Sequence, residues 1–135
     1  MSYASLGELA LLEGRRPSKQ EWKTWVTEDR MNLGQHTIQW NFMTDFASIP
    51  RPLLFLFGRQ SAPWQRAAVL HDYLYSSTNH DQRYSDRQYY WQAKADGTSG
   101  VTAMLHYVAL RLFGRPAYLG NQRKFRINPT WRYLQ

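Results

Sequence analysis

The chain has 135 residues, of which 43% are hydrophobic and 16% aromatic, and it carries a formal net charge of +7. These values exclude an intrinsically disordered chain and fit one domain with a single core. Because the chain has no cysteine, disulfides and thiolate metal sites are excluded, and oxygen or imidazole ligands would favour calcium or magnesium. The start of the chain lacks the pattern of a signal peptide, and no window approaches the roughly 20 apolar residues of a membrane span. We therefore expect synthesis in a reducing cytoplasm and no transmembrane segment.

The first half of the chain is predicted to contain strands. Residues 1–19 are interpreted as an N-terminal arm, and residues 20–43 as a β-hairpin. Residues 21–26 and 37–42 alternate polar and apolar side chains, which is typical of half-buried strands, and the turn-forming residues 32–34 separate them. Residues 44–60 are then predicted to form a loop with a short helix.

Residues 61–114 are predicted to form a three-helix core. Pro63 favours the start of the first helix, which should run to about Tyr75. Asp81 can cap the second helix, which should end at Gly97, and the third should end at Gly114. The predicted core-facing stripe of the third helix consists of Val101, Leu105, Val108 and Leu112.

Residues 115–135 are basic and aromatic without a clear period, so they are predicted to be an irregular C-terminal tail. The fold class is therefore α+β, with residues 1–135 forming a single domain: a short N-terminal antiparallel β-sheet, the helical core and this tail. No acidic residue follows Asp96. The C-terminal third of the chain is therefore predicted to present a basic surface. Such a surface suits nucleic acid, anionic lipid or an acidic protein, and the alternative is a solvated face without a partner. The residues predicted to bind a partner are Arg123, Lys124, Arg126, Trp131 and Tyr133.

His71 and Asp72 lie in the middle of an otherwise apolar predicted helix. Two ionisable groups there need partners, because an unpaired buried charge is strongly unfavourable. Asp86 on the next helix is predicted to accept the His71 N–H if the two helices pack antiparallel. Successive helical residues point about 100° apart, so His71 and Asp72 should have different roles, one activating water and the other binding a cation together with Asp45. The alternative is a satisfied buried network that fixes helix packing.

The loop that follows residue 43 carries further polar candidates. Thr44, Ser48 and Arg51 are predicted to support the site together with Asp45. Asp45 and Ser48 are also ordinary turn formers, so capping the turn before Pro50 is the alternative. Direct pairing of Arg51 with a carboxylate would indicate a scaffold. Tyr75 and Arg83 complete the predicted supporting set.

Two motifs carry a family resemblance. The runs TDFASIPR at residues 44–51 and AAVLHDYLY at residues 67–75, with Arg83 and Asp86, resemble a family of small bacteriophage and prophage proteins catalogued as a domain of unknown function. The resemblance implies a phage origin and leaves the activity open. The first functional hypothesis is a virion-associated component of the tail, baseplate or neck, whose basic aromatic C-terminus docks on a neighbouring subunit. Its partners would be other phage structural proteins, and it would be made in the host cytoplasm before entering the virion.

The same His-Asp arrangement is similar, more distantly, to the short prokaryotic phospholipase A2 enzymes. That resemblance implies that His71 is the base that activates water, that Asp72 and Asp45 bind calcium, that Asp86 orients His71 and that Tyr75 is a supporting donor. It implies calcium as the cofactor. The alternative function is thus a calcium-dependent hydrolase of phospholipid or another ester at the cell envelope. A second alternative is nucleic-acid binding through the C-terminal tail.

Overall fold

The computed structural model describes residues 9–11, 25–27, 30–44 and 63–133. Within these residues lie five short strands and four helices. The strands are β1 (Leu9–Leu11), β2 (Trp25–Thr27), β3 (Met31–Leu33), β4 (His36–Ile38) and β5 (Met43–Thr44). The helices are α1 (Gln65–Ser77), α2 (Gln82–Ala95), α3 (Gly100–Phe113) and α4 (Arg115–Ile127). The predicted α+β class is confirmed.

The strands form two small antiparallel sheets rather than one hairpin. β2 is central in the first sheet, between β1 and β5, with Trp25 opposite Thr44. β3 and β4 form the second, which turns at Gly34, a glycine with φ +61°. The sequence predicted that residues 37–42 would pair with residues 21–26. Instead residues 43–44 pair with Trp25 and Val26 of β2. Asn41, at φ +67°, and Phe42 precede them and form backbone hydrogen bonds with Thr27.

Helix α1 is the central element of the helical part. Most of its 13 residues are buried, and it packs against both α2 and α4. Its small and aliphatic side chains, including Ala67, Leu70 and Leu74, allow close approach on several sides. The core continues to Phe42 and to Leu110 of α3. The strands and helices therefore share one hydrophobic core.

Helices α2 and α3 begin at side-chain caps. The Asp81 carboxylate accepts a 2.7 Å hydrogen bond from the Tyr84 N–H, and the Ser99 hydroxyl accepts one of 3.2 Å from the Thr102 N–H. Gly97, at φ +102°, follows the end of α2. These boundaries lie within two or three residues of the predicted ones, because capping residues mark helix ends directly in the sequence.

The orientation of α3 differs from the prediction. Its predicted core-facing stripe (Val101, Leu105, Val108, Leu112) is exposed. The buried side chains of α3 are Ala103, His106, Ala109 and Leu110. Both faces of this helix are apolar, and the smaller side chains lie inward, where they allow α2 to pack closely. Periodicity alone does not distinguish two such faces.

The predicted irregular C-terminal tail contains a helix, α4. Pro116 lies in its first turn, a favourable position for proline. The inward face of α4 is polar: the Gln122 amide donates to the carbonyl oxygens of Tyr75 (2.7 Å) and Thr78 (2.8 Å). These are carbonyl groups at the C-terminal end of α1 that lack a helical partner. Because α4 buries amides rather than aliphatic side chains, it showed no apolar period in the sequence.

The residues that follow α4 return to the first sheet. The Met43 N–H donates to the Arg132 carbonyl oxygen at 2.7 Å, and Phe42 and Tyr133 form an antiparallel β-bridge. The C-terminal segment thereby closes over β5. In the part of the chain described, no helix is both long and apolar enough to span a bilayer.

Candidate His/Asp site

A buried polar cluster joins α1, α2 and α3. His71 and Tyr75 lie one turn apart on α1 and face Asp86 of α2. The distance from His71 Nε2 to Asp86 Oδ1 is 2.7 Å, and the Tyr75 hydroxyl donates to the same oxygen at 2.7 Å. Arg111 of α3 donates from Nη1 to Asp86 Oδ2 at 3.2 Å. His71 is 2% exposed and Asp86 is 0% exposed.

The hydrogen bonds around Asp86 determine which nitrogen of His71 carries the proton. Asp86 accepts from Tyr75 and from the guanidinium of Arg111, so it acts as an ionised carboxylate. His71 is therefore assigned the tautomer that donates from Nε2, which leaves the lone pair on Nδ1. Burial, and then the charge of Asp86, raise the pKa of Tyr75, so its hydroxyl stays protonated and remains a donor.

Asp72 belongs to a second buried network, on another side of α1. Its Oδ2 accepts a 2.6 Å hydrogen bond from the Thr44 hydroxyl and lies 3.2 Å from Arg132 Nη1. Arg132 Nη2 in turn donates to Asn121 Oδ1 of α4 at 3.3 Å. Asp72 therefore ties α1 to β5, to α4 and to the C-terminal segment. The divergence of His71 and Asp72 agrees with their expected angular separation.

The Asp72 carboxylate already has a cation of the same chain beside it. The guanidinium of Arg132 lies 3.2 Å from Oδ2, so a second positive charge at that oxygen would be repelled. No cluster of three or more His, Asp, Glu or Cys side chains suited to a metal is found among the described residues. Asp45, the other predicted calcium ligand, lies outside them, as do Ser48 and Arg51.

The structure adds two arginines that sequence reasoning missed. The sequence predicted Arg83 as one of the supporting residues. Arg83 is exposed on α2, and Arg111 of α3 lies beside Asp86. Arg132 pairs with Asp72, the kind of role that was considered for Arg51. Both arginines belong to the basic residues after Asp96, which were predicted together to form a basic surface. A single arginine, Arg111, within the apolar sequence of α3 was the signal that could have indicated a buried partner for it.

The residues predicted to bind a partner divide into two groups. Arg123, Lys124 and Arg126 are exposed on α4. Trp131 instead donates from Nε1 to the Ser76 carbonyl oxygen at 2.9 Å, and the Tyr133 ring packs edge-on against Phe42. These two aromatic side chains contact the rest of the chain, because the segment after α4 folds back instead of extending from the domain.

A glycine supports the geometry around Tyr75. A Cβ atom placed on Gly114 would lie 2.5 Å from the Leu110 carbonyl oxygen and 2.8 Å from the Tyr75 hydroxyl. We expect Gly114→Ala to lower the free energy of unfolding by about 1–3 kcal/mol, because the backbone and the Tyr75–Asp86 contact must both shift. Urea unfolding measures this. In the control Gly120→Ala the new methyl group meets nothing within 4 Å. Because alanine favours a helix more than glycine does, this change should raise the free energy of unfolding by about 0.5–1 kcal/mol. Equal effects of the two changes would contradict the prediction.

Two further histidines lie where the β3–β4 sheet meets α2. His36 Nε2 is 2.7 Å from the Tyr84 hydroxyl, the His80 ring stacks on Tyr84 at 4.2 Å, and the two imidazoles are 5.3 Å apart. Their proximity makes this contact sensitive to protonation.

Burial lowers the pKa of His36 below its ordinary value of 6.5, and repulsion from His80 lowers it further. The folded state therefore favours the neutral imidazole, so the contribution of His36 to stability is complete above about pH 6.5 and is lost as the pH falls below that value. We expect the urea midpoint of the wild type to decrease between about pH 7.5 and about pH 5.5 more than that of His36→Gln. Identical pH profiles would exclude this role of His36.

The comparisons with known proteins place the motifs in a family. No curated protein and no solved structure gives a significant match. A family profile described as "Protein of unknown function (DUF1353)" matches residues 22–110. The matched residues include His71, Asp72 and Asp86, and they end before Arg111 and Arg132. Since the match covers more than half of the chain, this protein belongs to the DUF1353 family, whose function is unknown.

Proposed function

We propose that this protein is a virion-associated component of a bacteriophage, in the tail, baseplate or neck, and that its His/Asp networks stabilise the fold. The motifs at residues 44–51 and 67–75 support the phage assignment through their resemblance to phage proteins. The observation that carries the structural role is the pairing of each buried carboxylate with a cation of the same chain. Arg111 neutralises Asp86, and Arg132 neutralises Asp72.

Burial of the site supports a structural role as well. His71 is 2% exposed, and Asp72 and Asp86 are each 0% exposed, so a substrate has little access to them. Their hydrogen bonds connect α1 to α2, α3, α4 and β5. Buried networks that pair each carboxylate with hydrogen-bond donors make packing specific. A subunit of a particle benefits from such specific packing because its contacts with its neighbours depend on a fixed shape.

Mass spectrometry of purified virions tests the proposal. Particles of the phage, or of the induced prophage that encodes the chain, would be purified on a density gradient. The protein should co-purify with the infectious peak at a constant ratio to the major capsid protein. An abundant host cytoplasmic protein provides the control for contamination. Detection only in the infected-cell lysate, never in the particle peak, would reject the proposal.

A hydrolase is the second candidate, favoured by the geometry of His71, Tyr75 and Asp86. A carboxylate that binds Nε2 leaves the Nδ1 lone pair to accept a proton from water, and Tyr75 holds that carboxylate in position. The hydroxide so formed would attack an ester carbonyl, and the protonated imidazole would return its proton to the leaving oxygen. Because His71 is buried, this chemistry requires the packing around α1 to open.

An assay on mixed phosphatidylcholine and phosphatidylglycerol vesicles separates the two candidates. Wild-type protein would be incubated with calcium or with a chelator, alongside His71→Gln and the exposed control Arg83→Gln. The structural proposal predicts no fatty-acid release from any sample. Release by the wild type and Arg83→Gln, but not by His71→Gln, would establish the hydrolase. A chelator effect would then assign calcium to the reaction.

A further inference from the structure

The outward side of α3 is entirely aliphatic. We define the α3 face as Val101, Met104, Leu105, Val108 and Leu112. Their side chains are between 43% and 74% exposed. The opposite side of α3 is buried against the core, so apolar side chains lie on two sides of this helix. A helix with two apolar sides normally buries both of them.

The spacing of these residues makes the face a continuous stripe. Positions 101, 105, 108 and 112 are separated by four, three and four residues, which places them in one row along the helix. At 1.5 Å per residue the row is about 16 Å long. No polar side chain lies within this row of α3 residues. The face is therefore a convex aliphatic ridge and differs from the scattered apolar residues of ordinary protein surfaces.

Aromatic and basic side chains of α2 border this ridge. A groove of about 180 Å³ between α2 and α3 is lined by Arg87, Tyr90, Trp91, Met104 and Tyr107. Trp91 is itself exposed, and Lys94 Nζ lies 5.5 Å from its ring. Tryptophan, tyrosine and basic side chains are the groups that settle between the apolar interior and the headgroups of a bilayer.

The charged side chains of α3 and α4 all have one sign. No Asp or Glu occurs after residue 96, so α3 and α4 have no acidic side chain. Gly114 joins α3 directly to α4, whose exposed cations are Arg115, Arg123, Lys124 and Arg126. Helix α3 therefore has exposed aliphatic side chains that could insert into a bilayer, and the next helix, α4, has exposed cations that would attract anionic headgroups. This combination complements a surface that is apolar inside and negatively charged outside.

We propose that the α3 face docks this protein on an anionic phospholipid surface, with α3 lying in the interfacial plane and the cations of α4 contacting lipid phosphates. A lipid surface fits better than a protein partner, because protein interfaces carry about one hydrogen bond per 100–200 Å² and the aliphatic ridge has no side-chain donor or acceptor. A second copy fits less well, because it would bring together two chains of net charge +7. The inference goes beyond the proposed function and does not depend on it.

Vesicle binding tests this inference with the full-length protein. Vesicles of phosphatidylcholine alone would be compared with vesicles that contain about 30% phosphatidylglycerol, by co-sedimentation and by the shift of tryptophan fluorescence. We expect binding to the anionic vesicles to be about tenfold tighter or more, and to weaken as salt increases. Equal binding to both compositions, or no binding to either, would overturn the inference.

Variants at exposed positions show whether the α3 face is the surface used. Leu105→Gln/Val108→Gln should weaken binding to anionic vesicles by about tenfold or more, because it removes inserted aliphatic groups. The triple change Arg123→Gln/Lys124→Gln/Arg126→Gln should remove the preference for phosphatidylglycerol. Trp40→Gln, which removes an equally exposed apolar side chain from the β-sheet region, should bind as the wild type does.

Two outcomes would replace the lipid by another occupant. If Leu105→Gln/Val108→Gln leaves vesicle binding unchanged but converts a dimer into a monomer in sedimentation equilibrium, the face binds a second copy. If the double variant binds vesicles normally but is no longer found in purified virions, the face binds a neighbouring protein. Either result overturns the lipid inference. The virion analysis described above is unaffected by the vesicle results, so the two proposals fail separately.

Discussion

Asp86→Ala is expected to lower the free energy of unfolding by about 3–5 kcal/mol. The carboxylate of Asp86 is fully buried and receives hydrogen bonds from His71, Tyr75 and Arg111. Its removal leaves a guanidinium and two polar hydrogens without their acceptor in a poorly solvated place. Urea unfolding at neutral pH provides the measurement. Asp86→Asn keeps one acceptor oxygen and the side-chain shape, so it should be less destabilising than Asp86→Ala.

The control for this prediction is an exposed aspartate that begins the same helix. Asp81 caps α2 through a single hydrogen bond to the Tyr84 N–H, so Asp81→Ala should lower stability by about 1 kcal/mol. Tyr75→Phe, which removes only one donor to Asp86, should have a similarly small effect. If Asp86→Ala were no more destabilising than these two changes, the network would not be a main source of stability.

Arg132→Gln is the second change expected to have a large effect, and it should also lower the free energy of unfolding by about 3–5 kcal/mol. It leaves the buried Asp72 carboxylate with Thr44 but without its cation. The double variant Asp72→Asn/Arg132→Gln should recover part of the loss, since neither charge then remains unpaired. A double-mutant cycle in urea should give a coupling free energy of about 1–3 kcal/mol.

Arg126 provides the matched control for Arg132. It is a cation in the same C-terminal region, but it is exposed, so Arg126→Gln should change stability by less than about 0.5 kcal/mol. Simple additivity of Asp72→Asn and Arg132→Gln would show that the two side chains do not stabilise the fold through each other. Asp72 would then have to be regarded as open to another ligand, and calcium would return as a candidate.

Local geometry explains which parts of the site were predictable. A short connection between two helices favours antiparallel neighbours, and so the sequence predicted that Asp86 would meet His71. Tyr75 follows His71 by four residues, which places both on one helical face. These relations depend on a few residues of chain. The same is true of the caps at Asp81 and Ser99.

The remaining parts depended on tertiary packing. Arg132 reaches Asp72 only because α4 and the following turn bring the chain back over β5, and no local pattern records that return. The outward direction of α3 was mispredicted because Ala103 and Ala109 pack inward while larger side chains remain exposed. Helix α4 was missed because its inward side chains are the amides of Asn121 and Gln122. In each case the decisive information is which surfaces meet, and hydrophobic periodicity does not contain it.

The return of residues 131–133 to the sheet affects how the nascent chain matures. Asp72 of α1 is translated before Arg132, and until Arg132 has been made its carboxylate lacks the ion pair seen in the finished fold. The bond from the Met43 N–H to the Arg132 carbonyl oxygen likewise joins an early strand to a late residue. Contacts so distant along the chain form slowly and late. Final locking of α1 therefore waits until residue 132 has been made and has folded back, and a chain interrupted during synthesis before that residue keeps the Asp72 carboxylate without this ion pair.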